Sequence, residues 1–257
     1  MKVSTIILTY NSEQNIKHCI DSIKKQTYKD IEYIIIDGLS SDNTIKIIDE
    51  NRENNTILIS EKDNGIYDAW NKGLKRASGD IVGTVMSDDY LNDQDSIQSI
   101  VNIFKEKKCD IVYGNMQFEL NNKIVRQWKA GKFNKKKYYL GWMPPPPTVY
   151  VKNTILKENE TFDEKYKIAA DYEWLLRIFF MQNYNIYYFD RFFYTLRMGG
   201  VSNKNLINII KSNRECYQAW VNNKISKFPF WIFFKPFFKI LQITSFNSFL
   251  NFYKKSK

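Results

Sequence analysis

The chain has 257 residues, 44% of them apolar and 26% charged, enough for a sizeable core and too apolar for wholesale disorder. Its net charge of +10 gathers at one end: residues 203 to 257 hold ten Lys/Arg and one acidic residue, Glu215, which leaves 28 basic against 27 acidic residues before them. A body so close to neutrality speaks against nucleic-acid binding and makes the terminal region the basic element.

Val3 to Leu8 reads as a buried strand entered directly from Met1, without the longer apolar region and cleavage site of a signal peptide. Asn11 or Ser12 is expected to cap a helix carrying Ile16, Cys19, Ile20 and Ile23 on one face. Ile31 to Ile36 is the second strand, Ser41 to Asn51 a helix, Thr56 to Ser60 the third strand. Ile66 to Ala77 is a helix closed by Ser78-Gly79, and Asp80 to Met86 the fourth strand. Repeated units of this length predict an α/β fold with a parallel sheet covered on both faces. The second half turns mixed. A helix over Gln94 to Lys107 precedes a strand at Ile111 to Gly114 and a hairpin around Asn121-Asn122. Beyond the rigid break Met143 to Thr148 come a short strand at Val149 to Val151 and a helix over Ala169 to Asn183. Tyr187 to Leu196 has strand composition, and from Asn205 the chain is helical and increasingly aromatic. No stretch of 18 apolar residues predicts a spanning helix.

Cys19, Cys109 and Cys216 are odd in number and match no zinc spacing, which points to buried structural thiols in a reducing compartment. The single histidine, His18, is expected to be a surface residue without a partner. Chemistry-bearing residues cluster instead at strand ends, where α/β sheets bind ligands. Thr9-Tyr10-Asn11 follows the first strand at the mouth of the crevice and reads in isolation first as a strand-to-helix turn, with a ligand contact as the alternative. Asp37-Gly38 follows the second strand; glycine lets a ligand approach the backbone, and Asp37 could accept an N–H from a base. Ser41 and Asp42 read as helix caps. Ser87-Asp88-Asp89 follows the fourth strand, and adjacent carboxylates suit a divalent cation that in turn suits a diphosphate, although an Asx turn has the same composition. Asp63 opens the loop before a helix on which Asp68 and Lys72 are spaced as an ion pair, with Asn71 between them. Asp171, at the start of an apolar helix, is stabilised in its charged form by the helix dipole. That suits a general base and equally an ordinary N-cap. Glu173 is close in sequence but points about 200° away around the helix.

Taken in order, Thr9-Tyr10-Asn11, Asp37 to Thr44, Asp63 to Gly73, Ser87-Asp88-Asp89 and Ala169 to Glu173 make the chain resemble glycosyltransferase family 2, with the GT-A fold, over about residues 3 to 202. The resemblance implies a catalytic domain over residues 1–202, with a nucleotide-binding half (1–115) and an acceptor half (116–202), followed by a basic aromatic helical region over 203–257. It implies inverting transfer of a sugar from a nucleotide-sugar to a saccharide or lipid-linked acceptor, of the bacterial surface-polysaccharide type. On this pattern Thr9 and Asp37 line the nucleobase pocket, with Asp37 bonding a uracil, and Tyr10, Asn11, Gly38, Asn71 and Lys72 belong to the same donor site. Asp63 lies near base and ribose, Asp88 near the ribose or donor sugar, Asp89 ligates Mg²⁺ or Mn²⁺, and Asp171 is the catalytic base. The chain departs from many relatives in lacking a histidine near Arg197 to Ser202 and before Thr148, so metal ligation rests on Asp89 with waters and phosphates.

Phe228 to Leu241 mixes dense aromatics with lysines and two prolines, the composition of an interfacial segment, with packing on the domain as the alternative. The expected setting is therefore the cytoplasm, at the inner face of the membrane, with a UDP-sugar as favoured donor and no nucleic acid. A nucleotidyltransferase would need a Gly-rich basic loop after the first strand, which Thr9 to Glu13 lacks. A non-catalytic saccharide- or membrane-binding scaffold of the same fold is the alternative from another class.

Overall fold

The computed structural model describes residues 1–158, 161–198 and 206–234. Three parallel pairings build its first half: β1 (Val3–Thr9) lies between β2 (Ile31–Asp37) and β4 (Ile81–Met86), and β3 (Ile57–Ser60) adds to β2. Apolar runs without polar alternation form these strands because both faces are covered. Ile6, Leu8, Ile34 and Ile36 enter one core cluster, while Val3, Ile7, Ile31 and Ile35 enter the other. The second face is covered by α1 (Ile16–Lys24), α2 (Thr44–Asn51) and α4 (Ser96–Lys107), through Ile16, Cys19, Ile20, Ile23, Ile48 and Ile97 among others. The first face takes α3 (Ile66–Arg76), through Trp70 and Leu74.

Beyond β4 the sheet becomes mixed, as expected. β8 (Tyr150–Lys152) pairs antiparallel with both β4 and β6 (Ile111–Leu120), and β9 (Ile186–Arg197) runs parallel to β6. A two-residue strand, β5 (Tyr90–Leu91), closes on β9, giving the order β3-β2-β1-β4-β8-β6-β9-β5, with β7 (Lys123–Trp128) hairpinned to β6. Asn121 and Asn122 turn that hairpin with φ of 50° and 58°, the paired positive angles of the turn that matches strand twist. A short α5 (Asn153–Glu158) follows β8, and α6 (Ala170–Leu175) passes directly into a π-helical segment, Leu176–Met181.

Three expectations are corrected. β6 is one strand of ten residues instead of a short strand followed by a separate hairpin arm. Asn11 and Ser12 do not cap α1: Asn11 sits at φ 47° in a loop, and the helix begins at Ile16. His18 is exposed but has partners, its ring edge-on to Tyr90 at 4.6 Å and its Nδ1 3.2 Å from Arg197 Nη2. The three cysteines are buried and unbridged.

The terminal region packs on the domain over its described residues. In α7 (Leu206–Asn222), Cys216, Ala219 and Trp220 are buried in the cluster that holds Trp70 and Tyr172, and Ile232 joins them from a 3₁₀ turn at Phe230–Phe234. No helix among the described residues is long and apolar enough to cross a membrane. The expected interfacial segment lies outside the described residues from Lys235 onward.

At the opposite strand ends from the loops of interest, buried Glu32 accepts hydrogen bonds from the Ser4 hydroxyl (2.6 Å), the Ser78 amide (2.9 Å) and hydroxyl (2.7 Å), and the Lys2 ammonium (3.0 Å). Burial alone would raise its pKa, but the donors outweigh it and bring the carboxyl down from 4.5 to about 2. A folded-state value below the unfolded one stabilises the protein above pH 4.5, and that stabilisation is lost as pH falls towards 2. Its full size is at most about 3 kcal/mol. Glu32→Gln should therefore lower the urea midpoint at pH 7, and the gap to wild type should close below pH 4. A gap of the same size at every pH would contradict this.

Candidate functional site

The tips of β1, β2 and β4 stand side by side, with Thr9 paired to Asp37 and Leu8 to Met86. The loops that leave them are stapled together. Asn11 donates its amide to Ser40 Oγ (2.8 Å) and accepts from the Ser41 amide at Oδ1 (2.9 Å). The Ser12 amide donates to Thr44 Oγ1 (2.7 Å), the Glu13 amide to Asp42 (3.1 Å), and the Asn43 amide to Glu13 (3.0 Å). Across the β4 tip, the Ser12 and Ser87 hydroxyls meet at 2.7 Å. Short polar side chains in turns satisfy neighbouring backbone this way, and here they do so between two loops.

Against this floor opens a cleft of about 510 Å³, lined by Leu8, Thr9, Tyr10, Ser12, Gly38, Lys62, Asp63, Gly65, Ile66, Ala69, Met86, Ser87 and Asp88. Thr9 is buried, and its hydroxyl has no hydrogen-bond partner, an unsatisfied group of the kind that a bound molecule completes. Tyr10 is 62% exposed, an aromatic face at the mouth. A Cβ on Gly38 would lie 2.5 Å from Asp63 Oδ2 and 3.3 Å from the Tyr10 ring, so only glycine leaves that space open. Asp63 takes the Gly65 amide at 2.9 Å, ahead of α3, and Gly65 itself has φ 121°. Asp88 accepts from the Asn15 amide group at 3.2 Å.

Of the eleven residues singled out from sequence, Thr9, Tyr10, Gly38, Asp63 and Asp88 therefore border one cleft. The other six do not. Asn11 staples the loops. Asp37 is fully buried and accepts from the Ser40 amide (2.9 Å), the Ser40 hydroxyl (2.5 Å) and the Ser60 hydroxyl (2.7 Å). Asn71 is also buried and braces α3 to the distant segment ahead of α6, accepting from the Phe162 amide (3.0 Å) and donating to the Phe162 carbonyl (2.9 Å) and Glu164 (3.1 Å). The Lys72 ammonium turns to the Lys62 carbonyl (2.9 Å), Glu61 (3.0 Å) and Asp68 (3.4 Å). Lys62, which the sequence reading did not single out, is the cation among the lining residues.

Asp89 is 4% exposed and turns towards β9, taking the Tyr194 hydroxyl (2.7 Å) on one oxygen and the Arg197 amide (3.1 Å) on the other. Burial raises its pKa to about 7, against the pull of those two donors. Among the described residues, no group of three or more His, Cys, Asp or Glu is arranged to hold a metal ion. The pair Asp88-Asp89 nevertheless fits Mg²⁺ or Mn²⁺. One carboxylate borders the cleft, its neighbour carries one hydrogen bond per oxygen, and such cations take one or two carboxylates plus substrate phosphates.

Asp171 lies in the first turn of α6, whose N-cap is Ala169, so Asp171 itself is not the cap. It accepts from the Tyr172 amide (2.8 Å) and from Tyr67 Oη (3.3 Å) on α3, the helix whose first residue lines the cleft. Burial and then the Asp171 charge push the Tyr67 hydroxyl well up, keeping it a donor. Glu173 is engaged elsewhere, with Arg177 (2.8 Å) and Asn223 (2.9 Å). Tyr67 and Glu215 were missed by sequence reasoning, because their partners lie 101 and 47 residues away.

Residues 4–158 match the family model described as Glycosyl transferase family 2. The chain is 37% identical over 116 residues to the glycosyltransferase GlyA of Streptococcus pneumoniae, covering 44% of this chain and 16% of that protein. It is 27% identical over 180 residues to a PGL/p-HBAD biosynthesis glycosyltransferase of Mycobacterium tuberculosis, covering 68% of this chain and 69% of that one. Residues 1–349 of Staphylococcus aureus TarS, solved in complex with UDP-GlcNAc, superpose with a TM-score of 0.69 at 25% identity, over 85% of this chain and 64% of that one.

Proposed function

The chain belongs to glycosyl transferase family 2, and from that premise we propose that it transfers a sugar from a nucleotide-sugar, with a UDP-sugar as donor, to a saccharide or lipid-linked acceptor in the building of a bacterial surface polysaccharide. The observation that carries this reading is the cleft itself, where Thr9, Gly38, Asp63 and Asp88 converge beyond the tips of four parallel strands. The UDP-GlcNAc complex of TarS supports the choice of donor.

Asp63 and the unpartnered Thr9 hydroxyl are the donor-site contacts for base and ribose, Tyr10 offers its ring at the mouth, and Lys62 faces the phosphates. Asp37 acts from beneath, fixing the Ser40 turn on which Asn11 is stapled. Asp171 is the general base: its carboxylate takes the proton of the acceptor hydroxyl as the hydroxyl's own oxygen bonds to the anomeric carbon and the bond to the diphosphate breaks, inverting the centre. The Tyr172 amide and the Tyr67 hydroxyl, at 2.8 and 3.3 Å, fix where the carboxylate lies. Asp89 with Asp88 would hold Mg²⁺ or Mn²⁺, and the bound cation would supply positive charge for the departing diphosphate.

Release of UDP from a panel of UDP-sugars in Mn²⁺ tests the reading. Asp171→Asn should slow turnover about a hundredfold or more while leaving UDP binding intact, and Asp89→Ala should abolish the metal dependence. Turnover of Asp171→Asn at the wild-type rate would sink the assignment of the base.

The proposed setting is the inner face of the cell membrane. Phe228 and Phe230 are 76% and 64% exposed, and Leu140 is 50% exposed. Phe230 and Tyr139, the neighbour of Leu140, both pack on Trp231, at 5.3 and 4.9 Å. Lys135 and Lys136 are exposed one turn before Leu140. Exposed rings bordered by lysines suit an anionic headgroup layer. The full chain should co-sediment with vesicles rich in phosphatidylglycerol, and the double variant Phe228→Ser, Phe230→Ser should do so several-fold less. A wild-type chain that stays in the supernatant would contradict membrane contact.

A further inference from the structure

The approach to α6 is held from two sides by groups that the proposed chemistry does not use. From α7, the Glu215 carboxylate accepts three consecutive backbone N–H groups, those of Lys167 (3.0 Å), Ile168 (2.9 Å) and Ala169 (2.8 Å). Amides at a helix start have no intrahelical partner, and the usual remedy is a side-chain oxygen at the N-cap. Here the N-cap is Ala169, which has none, and the oxygens come from 46 residues further along the chain. From α3, the Tyr67 hydroxyl donates to the Ile168 carbonyl (2.9 Å) and meets Asp171 (3.3 Å). The turn two residues ahead of Asp171 is thus clamped between a wall of the cleft and the terminal helix.

The rest of α7 supports the clamp without needing a charge. Trp220 donates to the Tyr172 hydroxyl (2.8 Å), Asn222 to the Tyr166 hydroxyl (2.9 Å) and Asn223 to Glu173 (2.9 Å). These bonds and the burial of Cys216, Ala219 and Trp220 dock the helix. Glu215, the one acidic residue between 203 and 257, does something different: it fixes the backbone of a turn.

We infer that Glu215 is a positioning residue for sugar transfer, holding the 167–169 turn so that the Asp171 carboxylate meets the acceptor hydroxyl. This rests on Asp171 being the base. Displacing a reacting group by about 1 Å can cost about a hundredfold in rate, so a partial loss of the clamp is readable.

The test uses the full chain and two independent readings of Glu215→Gln, which keeps the side chain's size and removes its charge. Hydrogen exchange, measured without any ligand, should speed up at the amides of residues 167–169 by about tenfold or more, while amides of β1 and β4 keep their protection. On the UDP-sugar that wild type turns over, kcat should fall about tenfold with KM for the donor within about twofold. Combining Glu215→Gln with Asp171→Asn should cost no more than Asp171→Asn alone, because a group acting through the base adds nothing once the base is gone. Glu215→Asp should restore part of the exchange protection and of kcat. Unchanged exchange at 167–169, a wild-type kcat, or additive losses in the double variant would each overturn the inference. An active Asp171→Asn would instead overturn the assignment of the base, with the exchange result still standing for the clamp.

Discussion

The parallel trio β2-β1-β4 is the constraint from which the site follows. Its register sets Thr9 beside Asp37 and Leu8 beside Met86, so three chain segments leave the sheet at one level. Both faces of the trio are covered by helices, which leaves the strand tips as the place where polar groups can meet a ligand. The loops there could not hold a cleft if they moved independently. Reciprocal hydrogen bonds between residues 11–13 and 40–44, with the Ser12–Ser87 contact, make one rigid floor from three loops.

Two kinds of acidic residue serve this floor. Asp63 and Asp88 border open space and are available to a ligand. Asp37 is buried and its oxygens are taken by Ser40 and Ser60; Asp89 is buried too, tied to β9 through Tyr194 and Arg197, but with one bond on each oxygen it keeps lone pairs free. A carboxylate buried against hydroxyl and amide donors is an anchor, since each donor is satisfied only while the loop stays where it is. The turn ahead of Asp171 is built on the same logic at longer range, gripped by Tyr67 and Glu215.

Much of this was legible in the sequence. Runs such as Tyr33 to Asp37 and Ile81 to Met86 have the apolar continuity of strands buried on both faces, and the residues following them mark the ligand end. Which way each side chain points was not legible. Asp37, Asn71 and Lys72 have the residue types of ligand contacts, yet their partners are Ser60, Phe162 and Glu61, set by strand pairing and helix packing that no local pattern encodes. Lys62 was passed over in favour of Lys72 for the same reason. The packing of α7 was not legible either: the chain from Asn205 read only as helical and increasingly aromatic, and which of its residues, such as Trp220 and Cys216, enter the core depends on contacts far along the chain.

The central claim is that the nucleotide occupies the cleft between Tyr10, Gly38 and Asp63, and calorimetric titration of UDP tests it most directly. Gly38→Leu places a side chain where a Cβ already comes within 2.5 Å of Asp63, filling the space without touching Asp171. The account predicts that wild type and Asp171→Asn bind UDP alike, and that Gly38→Leu, with its melting temperature preserved, does not. Equal binding by Gly38→Leu would place the nucleotide elsewhere and contradict the account.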